Sequence, residues 1–127
     1  MGLLLTLFFL AATTLALTHT LATSFFLYWK YLWLDIPMHF LGGLVCAFGI
    51  AILPFFRLQY IEKRSSFSLY MFLVLGMGIC WELFEYSTGM YQFETNIIPD
   101  TILDMCMDLL GGAVGYGMVK NIKQLDT

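Results

Sequence analysis

The chain has 127 residues, of which 60% are hydrophobic and 12% charged. A soluble domain carries about 25% charged residues, so this composition cannot cover a core in water and excludes a soluble globule and a disordered chain alike. The net charge of -3 leaves no basic excess for a nucleic acid backbone, the length allows one domain, residues 1–127, and the natural solvent is a bilayer.

A transmembrane helix needs roughly 20 mostly apolar residues. Four such stretches follow in chain order, over about residues 3–28, 36–56, 67–86 and 101–119. The first carries no charge before Lys30. It has no basic leader and is longer than the apolar run of a signal peptide, so it reads as a retained helix. Met1-Gly2-Leu3-Leu4-Leu5-Thr6 fits a loose myristoylation pattern, which adds little to a chain that already spans. Pro37 suits the first turn of the second span, where a missing N–H costs nothing, and Arg57 closes it. The fourth span follows Pro99, with Asp100 as its N-cap or, equally, a ligand, and Lys120 at its end. Cys46, Cys80 and Cys106 all fall inside spans, where a thiol behaves as a small hydrophobe. The expected fold is therefore an all-α membrane protein, a four-transmembrane-helix bundle.

Basic residues set the orientation. Arg57, Lys63 and Arg64 lie between spans two and three, and Lys120 and Lys123 near the C-terminus. Four spans put both groups on one side, the cytoplasm, with both termini there. Tyr28, Trp29, Tyr31 and Trp33 form an aromatic belt at the opposite face. The outer connection at about 87–100 holds Tyr91, Phe93, Ile97 and Ile98, apolar enough to lie along the interface as a lid. The expected location is a bacterial plasma membrane.

The acids are sorted as well. Asp35, Glu82, Glu85, Glu94, Asp100, Asp104 and Asp108 fall in the outer loops or outer parts of spans two to four, where Lys30 is the one cation. At roughly 5.4 Å per turn, Asp35 and His39, Glu82 and Glu85, and Asp104 and Asp108 reach one layer of the membrane. The spacings i,i+4, i,i+3 and i,i+4 put each pair on one side of its helix. Lipid-facing carboxylates are costly, so these faces turn inward. Three polar faces at one depth predict a shared pocket open to the extracytoplasmic side. His19 reaches a similar depth and reads as a polar residue bonded within the bundle; Glu94 reads as a solvated loop acid, and Trp81 as packing. Gly42, Gly43, Gly76, Gly78, Gly111, Gly112 and Gly115 flank the acids, with Gly111-x-x-x-Gly115 a small-residue packing motif.

Clustered carboxylates can share protons, meet cations or hold a metal. Carboxylates with an imidazole suit Mg, Mn, Fe or Zn, which makes Asp35, His39, Glu82, Glu85, Asp104 and Asp108 candidate ligands for a divalent cation. No organic cofactor and no nucleic acid partner is indicated. Glu82-x-x-Glu85 with a His from another helix departs from the Glu-x-x-His pairs of di-iron bundles.

Asp35-Ile-Pro-Met-His39-Phe-Leu-Gly42-Gly43, then Trp81-Glu82-Leu-Phe-Glu85, then Asp100-Thr-Ile-Leu-Asp104-Met-Cys-Met-Asp108-Leu-Leu-Gly111 resemble small bacterial membrane proteins of the YjdF type, and more distantly the VanZ-like proteins. The resemblance spans about residues 35–117. It implies a D-x-x-x-H-F entry, a Glu-bearing third helix, an Asp-rich fourth helix and, from the VanZ-like side, work near the cell envelope. The chain lacks the basic residue expected beside the fourth-span motif of VanZ-like proteins. It also lacks the Ala-Arg step that follows D-G in CDP-alcohol phosphotransferases, despite the regular spacing of Asp100, Asp104 and Asp108.

Three functions fit these features. The first is an outward-facing acidic site that binds a divalent cation and, if the protein is an enzyme, polarises a lipid phosphate or activates water. The second is an ion or proton transporter, and the third an accessory subunit packed against a partner in a larger membrane complex.

Overall fold

The computed structural model describes residues 2–53, 66–89 and 97–125. The basic loop with Arg57, Lys63 and Arg64, the end of span two, Met1 of the myristoylation pattern, the lid residues Tyr91 and Phe93, and Glu94 all lie outside them.

Among the described residues five α-helices follow in order: α1 (Gly2–Ser24), the short α2 (Leu27–Lys30), α3 (Asp35–Ile52), α4 (Phe67–Thr88) and α5 (Ile97–Leu125). A 3-10 turn, Leu32–Leu34, runs directly into α3. Four stretches among the described residues are long and apolar enough to cross a membrane: Gly2–Ser24, Leu32–Ile52, Phe67–Thr88 and Ile98–Ile122. The all-helical, four-span expectation therefore holds.

Four element ends differ from the sequence reading, three of them for a local reason. Span one stops at Ser24 rather than near Tyr28 because Phe26 adopts a left-handed backbone, φ 56°. That conformation costs a non-glycine residue energy and turns the chain, so Tyr28 folds back toward α1. Helix α4 runs past Tyr86 to Thr88, where Gly89 at φ 75° supplies the left-handed cap and its N–H returns to Glu85 and Tyr86 carbonyls. Helix α5 starts at Ile97, so Pro99 and Asp100 lie within its first turn. Proline is tolerated there because first-turn N–H groups have no intrahelical acceptor. Asp100 is thus a first-turn acid favoured by the helix dipole rather than the cap. The far end of α5 passes the exposed Lys120 and reaches Leu125.

Helix α3 is the centre of the bundle and packs most extensively on α5. The reason is glycine. A Cβ on Gly43 would strike the Asp108 carbonyl, and one on Gly111 would strike the Phe40 carbonyl. Gly115 faces Ala47 and Leu44 in the same seam. The Gly111-x-x-x-Gly115 motif therefore lets α3 and α5 meet backbone to backbone. Helix α4 packs on α5 and α3, and α1 on α3. Two apolar clusters fill the half of the bundle away from the acids. Leu4, Ala11, Phe48, Ala51, Ile52 and Val119 form one, and Ala47, Ile50, Tyr70 and Val74 the other. Tyr70 meets Tyr116 edge to face at 4.9 Å between ring centres. Helices α1, α4 and α5 carry exposed large apolar side chains on their outward faces, as lipid contact requires, whereas the central α3 exposes none between Asp35 and Ile52.

Candidate functional site

Each polar group reaches the site by helical spacing. Asp35 opens α3, and His39 follows one turn later on the same face. Glu82 and Glu85 occupy the last two turns of α4. Asp100, Asp104 and Asp108 descend the first turns of α5. The α3–α5 glycine contacts bring the deepest acid, Asp108, against His39.

His39 is the hub. Its Nδ1 lies 3.2 Å from Asp108 Oδ2 in a buried hydrogen bond. Its Nε2 lies 3.8 Å from Asp35 Oδ1 and 3.9 Å from Glu82 Oε1, too far for hydrogen bonds but close enough for charge to matter. His39 is only 5% exposed, Asp104 1%, Asp108 6% and Glu82 8%. Three overlapping sets each bring their ligand atoms within 4.8 Å of one another: Asp35, His39 and Glu85; His39, Glu82 and Asp104; and Asp35, Asp100 and Asp104. Five of the six residues expected from the sequence thus share these sets with Asp100, and the sixth, Asp108, joins them through its hydrogen bond to His39.

The residues present suit a cation. Asp104 Oδ1 and His39 Nε2 are buried without a hydrogen-bond partner. A buried polar atom left unpaired costs roughly 1–3 kcal/mol, and a positive ion would satisfy both. Buried acidic and imidazole groups in this arrangement could hold a metal ion. In such a site a divalent ion would act as a Lewis acid.

The surrounding residues are those the sequence left in other roles. Thr101 Oγ1 donates to Glu82 Oε2 at 2.9 Å, tying α5 to α4. Trp81 Nε1 donates to Glu85 Oε1 at 2.9 Å, so Trp81 orients an acid as well as packing. His19 does bond within the bundle: its Nδ1 and the Tyr28 hydroxyl share a 2.9 Å hydrogen bond, and its ring meets Trp81 edge to face at 5.5 Å. Burial, then the charges of Asp35 and Glu85, push the Tyr28 phenol well above its ordinary range. An i,i+4 Trp–Glu pair was a readable signal for the Trp81 bond. Nothing in the sequence places Tyr28 back over α1, since that depends on the turn at Phe26.

Glycine has a second use here. A Cβ on Gly78 would lie 2.5 Å from Asp108 Oδ2, and one on Gly42 would lie 3.6 Å from Asp108 Oδ1. These two clear space for the carboxylate, while Gly43, Gly111 and Gly115 serve helix packing. A cavity of about 350 Å³ opens beside His39, Asp35 and Asp108, between α1, α3 and α4.

No curated protein and no solved structure matches the chain. Residues 3–123 match the family described as predicted membrane protein DUF2238, in keeping with the YjdF-type resemblance of its motifs, and the chain belongs to that family.

Proposed function

We propose that this is a small integral membrane protein whose intramembrane acid–imidazole cluster binds a divalent cation. Asp35, His39, Glu82, Glu85, Asp104 and Asp108 supply the ligands, with Asp100 at the rim. The supporting observation is the buried, unpaired Asp104 Oδ1 facing a ring of acids around His39. Oxygen-rich ligands with one imidazole favour Mg or Mn, with Zn or Fe as softer alternatives. By the distribution of Lys and Arg, the cluster faces outside a bacterial plasma membrane and both termini face the cytoplasm. A cation held there would polarise a phosphate or activate water, which makes a lipid or envelope substrate the natural target of an enzyme of this design.

Two observations favour binding over conduction or scaffolding. Past the acids, Ala47, Ile50, Tyr70 and Val74 close the interior with apolar packing, which among the described residues offers ions no polar route onward. Seven convergent polar groups also exceed what contact with a partner subunit demands.

The test is metal content after purification, with titration of Mg2+ and Mn2+ into the chelator-treated protein. One divalent ion or more per chain is expected. Asp104→Asn should weaken binding by roughly tenfold or more, about 1.4 kcal/mol. An unmodified chain that takes up no ion, or Asp104→Asn protein that binds as well as the parent, refutes the reading.

A further inference from the structure

The cavity beside the cluster has two unlike ends. One end is polar, lined by His19, Tyr28, Asp35, His39 and Asp108. The other is walled by Ala12, Leu15 and Ala16 of α1, Val45 of α3, and Val74 and Met77 of α4. Ala12 and Ala16 stand at i,i+4 on one face of α1, and their small side chains leave the groove open. Water needs two to four polar partners to settle in a cavity, and the alanine, valine and methionine walls provide none. Hydrocarbon suits that end.

Length and volume narrow the occupant. From Asp35 to Cys46, the lining residues of α3 at its two ends, is eleven residues, or roughly 16 Å of helix. That is about half of a ~30 Å hydrocarbon core, the depth of one leaflet. A volume of about 350 Å³ lies near the low end of the roughly 300–1,000 Å³ of ligand sites, room for one chain rather than two.

The polar end narrows the head group. His39 is buried and lines the cavity, and its Nε2, which has no hydrogen-bond partner, faces the Asp35 and Glu82 carboxylates where the ion would sit. Asp35 and Asp108 would repel an anionic head that came alone. With a divalent ion on the cluster the sign reverses, because a hard cation bound by a few carboxylates completes its coordination with phosphate oxygens. An ammonium head would instead compete with the ion for the same carboxylates.

We infer that the groove between α1 and α4 holds the single hydrocarbon chain of a phosphate-headed membrane lipid, with the phosphate placed on the divalent ion beside Asp35, His39 and Asp108. This rests on the cation reading above and names the class of ligand for that site.

The test uses the full-length chain in a non-ionic detergent, with Trp29 and Trp33 replaced by Phe so that Trp81 on the cavity wall is the one remaining tryptophan. The probe is dodecyl phosphate brominated beside its head. It should quench Trp81 saturably in Mg2+ and bind roughly tenfold more weakly after chelation. Ala16→Phe fills the groove from an exposed position on α1 and should cause a similar loss. Ala12→Phe, one turn deeper, should do the same and covers misfolding of the first variant. Mg2+ uptake by equilibrium dialysis should be unchanged in both, since neither position is a ligand. Quenching that rises linearly or ignores both substitutions overturns the inference. So does equal binding with and without chelator, or tighter binding of the brominated dodecylamine in Mg2+. Mg2+ uptake without probe binding overturns this inference alone, whereas no Mg2+ uptake by the parent chain overturns the cation reading and this inference with it.

Discussion

Tyr28 shows how one residue outside the spans is tied to the acids within them. The phenol bonds His19 at 2.9 Å, and burial with the charges of Asp35 and Glu85 disfavours its ionised form. A phenol whose ionisation is pushed upward by folding stabilises the fold fully below its ordinary value of 10.0, and that contribution is lost as pH rises beyond it. An alkaline titration followed by phenolate absorbance should therefore show Tyr28 within a late-ionising component. Tyr28→Phe should lower the late amplitude by one tyrosine and leave the earlier components; an unchanged late amplitude would show that Tyr28 is not part of it. At this scale the sequence was a good guide to the acids and a poor one to their supports. Asp35, His39, Glu82, Glu85, Asp104 and Asp108 declare themselves because charge in an apolar span has to turn inward. Tyr28, Trp81 and Thr101 do not, because an aromatic or hydroxyl side chain fits a membrane interface equally well.

Helix pairing is where the glycines decide the outcome. The seam between α3 and α5 exists because Gly43 and Gly111 each sit against the other helix's backbone carbonyl. Neither carbonyl can move without breaking its own helix. Gly43→Ala and Gly111→Ala should each destabilise the bundle by about 1–3 kcal/mol, read as a lower thermal midpoint in detergent. Gly76 has nothing within 4 Å of a Cβ position. Gly76→Ala should be neutral or gain roughly 0.5–1 kcal/mol from helix propensity. Equal effects at all three positions would refute the close-contact account. The spans were legible as apolar runs between charges, and the Gly111-x-x-x-Gly115 motif announced a packing face. The ends were less so. The turn at Phe26 and the early start of α5 before Pro99 arise from backbone conformation, which leaves little trace in side-chain chemistry.

Over the whole molecule, charge is sorted from end to end. Five of the six Lys and Arg fall in the loop at 57–64 and near the C-terminus, and seven of the nine acids at the opposite end. If orientation follows the basic residues, a cysteine introduced as Gln124→Cys, with Cys46, Cys80 and Cys106 changed to Ser, should resist a membrane-impermeant thiol reagent in intact cells. It should react once the cells are opened. Labelling in intact cells would place the acids in the cytoplasm instead.

The backbone contacts at Gly43 and Gly111 have a mechanical consequence. The two contacts lie within one turn of each other, Phe40 to Gly43 on α3 and Asp108 to Gly111 on α5, and Gly115 against Ala47 and Leu44 extends the seam by a further turn, so the two helices move as one plate. His39 and Asp108 ride on that plate, so their 3.2 Å spacing is insensitive to what happens elsewhere. Helix α1 packs mainly on α3 and only slightly on α5, so a shift of α1 that admitted something bulkier than the groove now takes would leave the acid–imidazole geometry fixed.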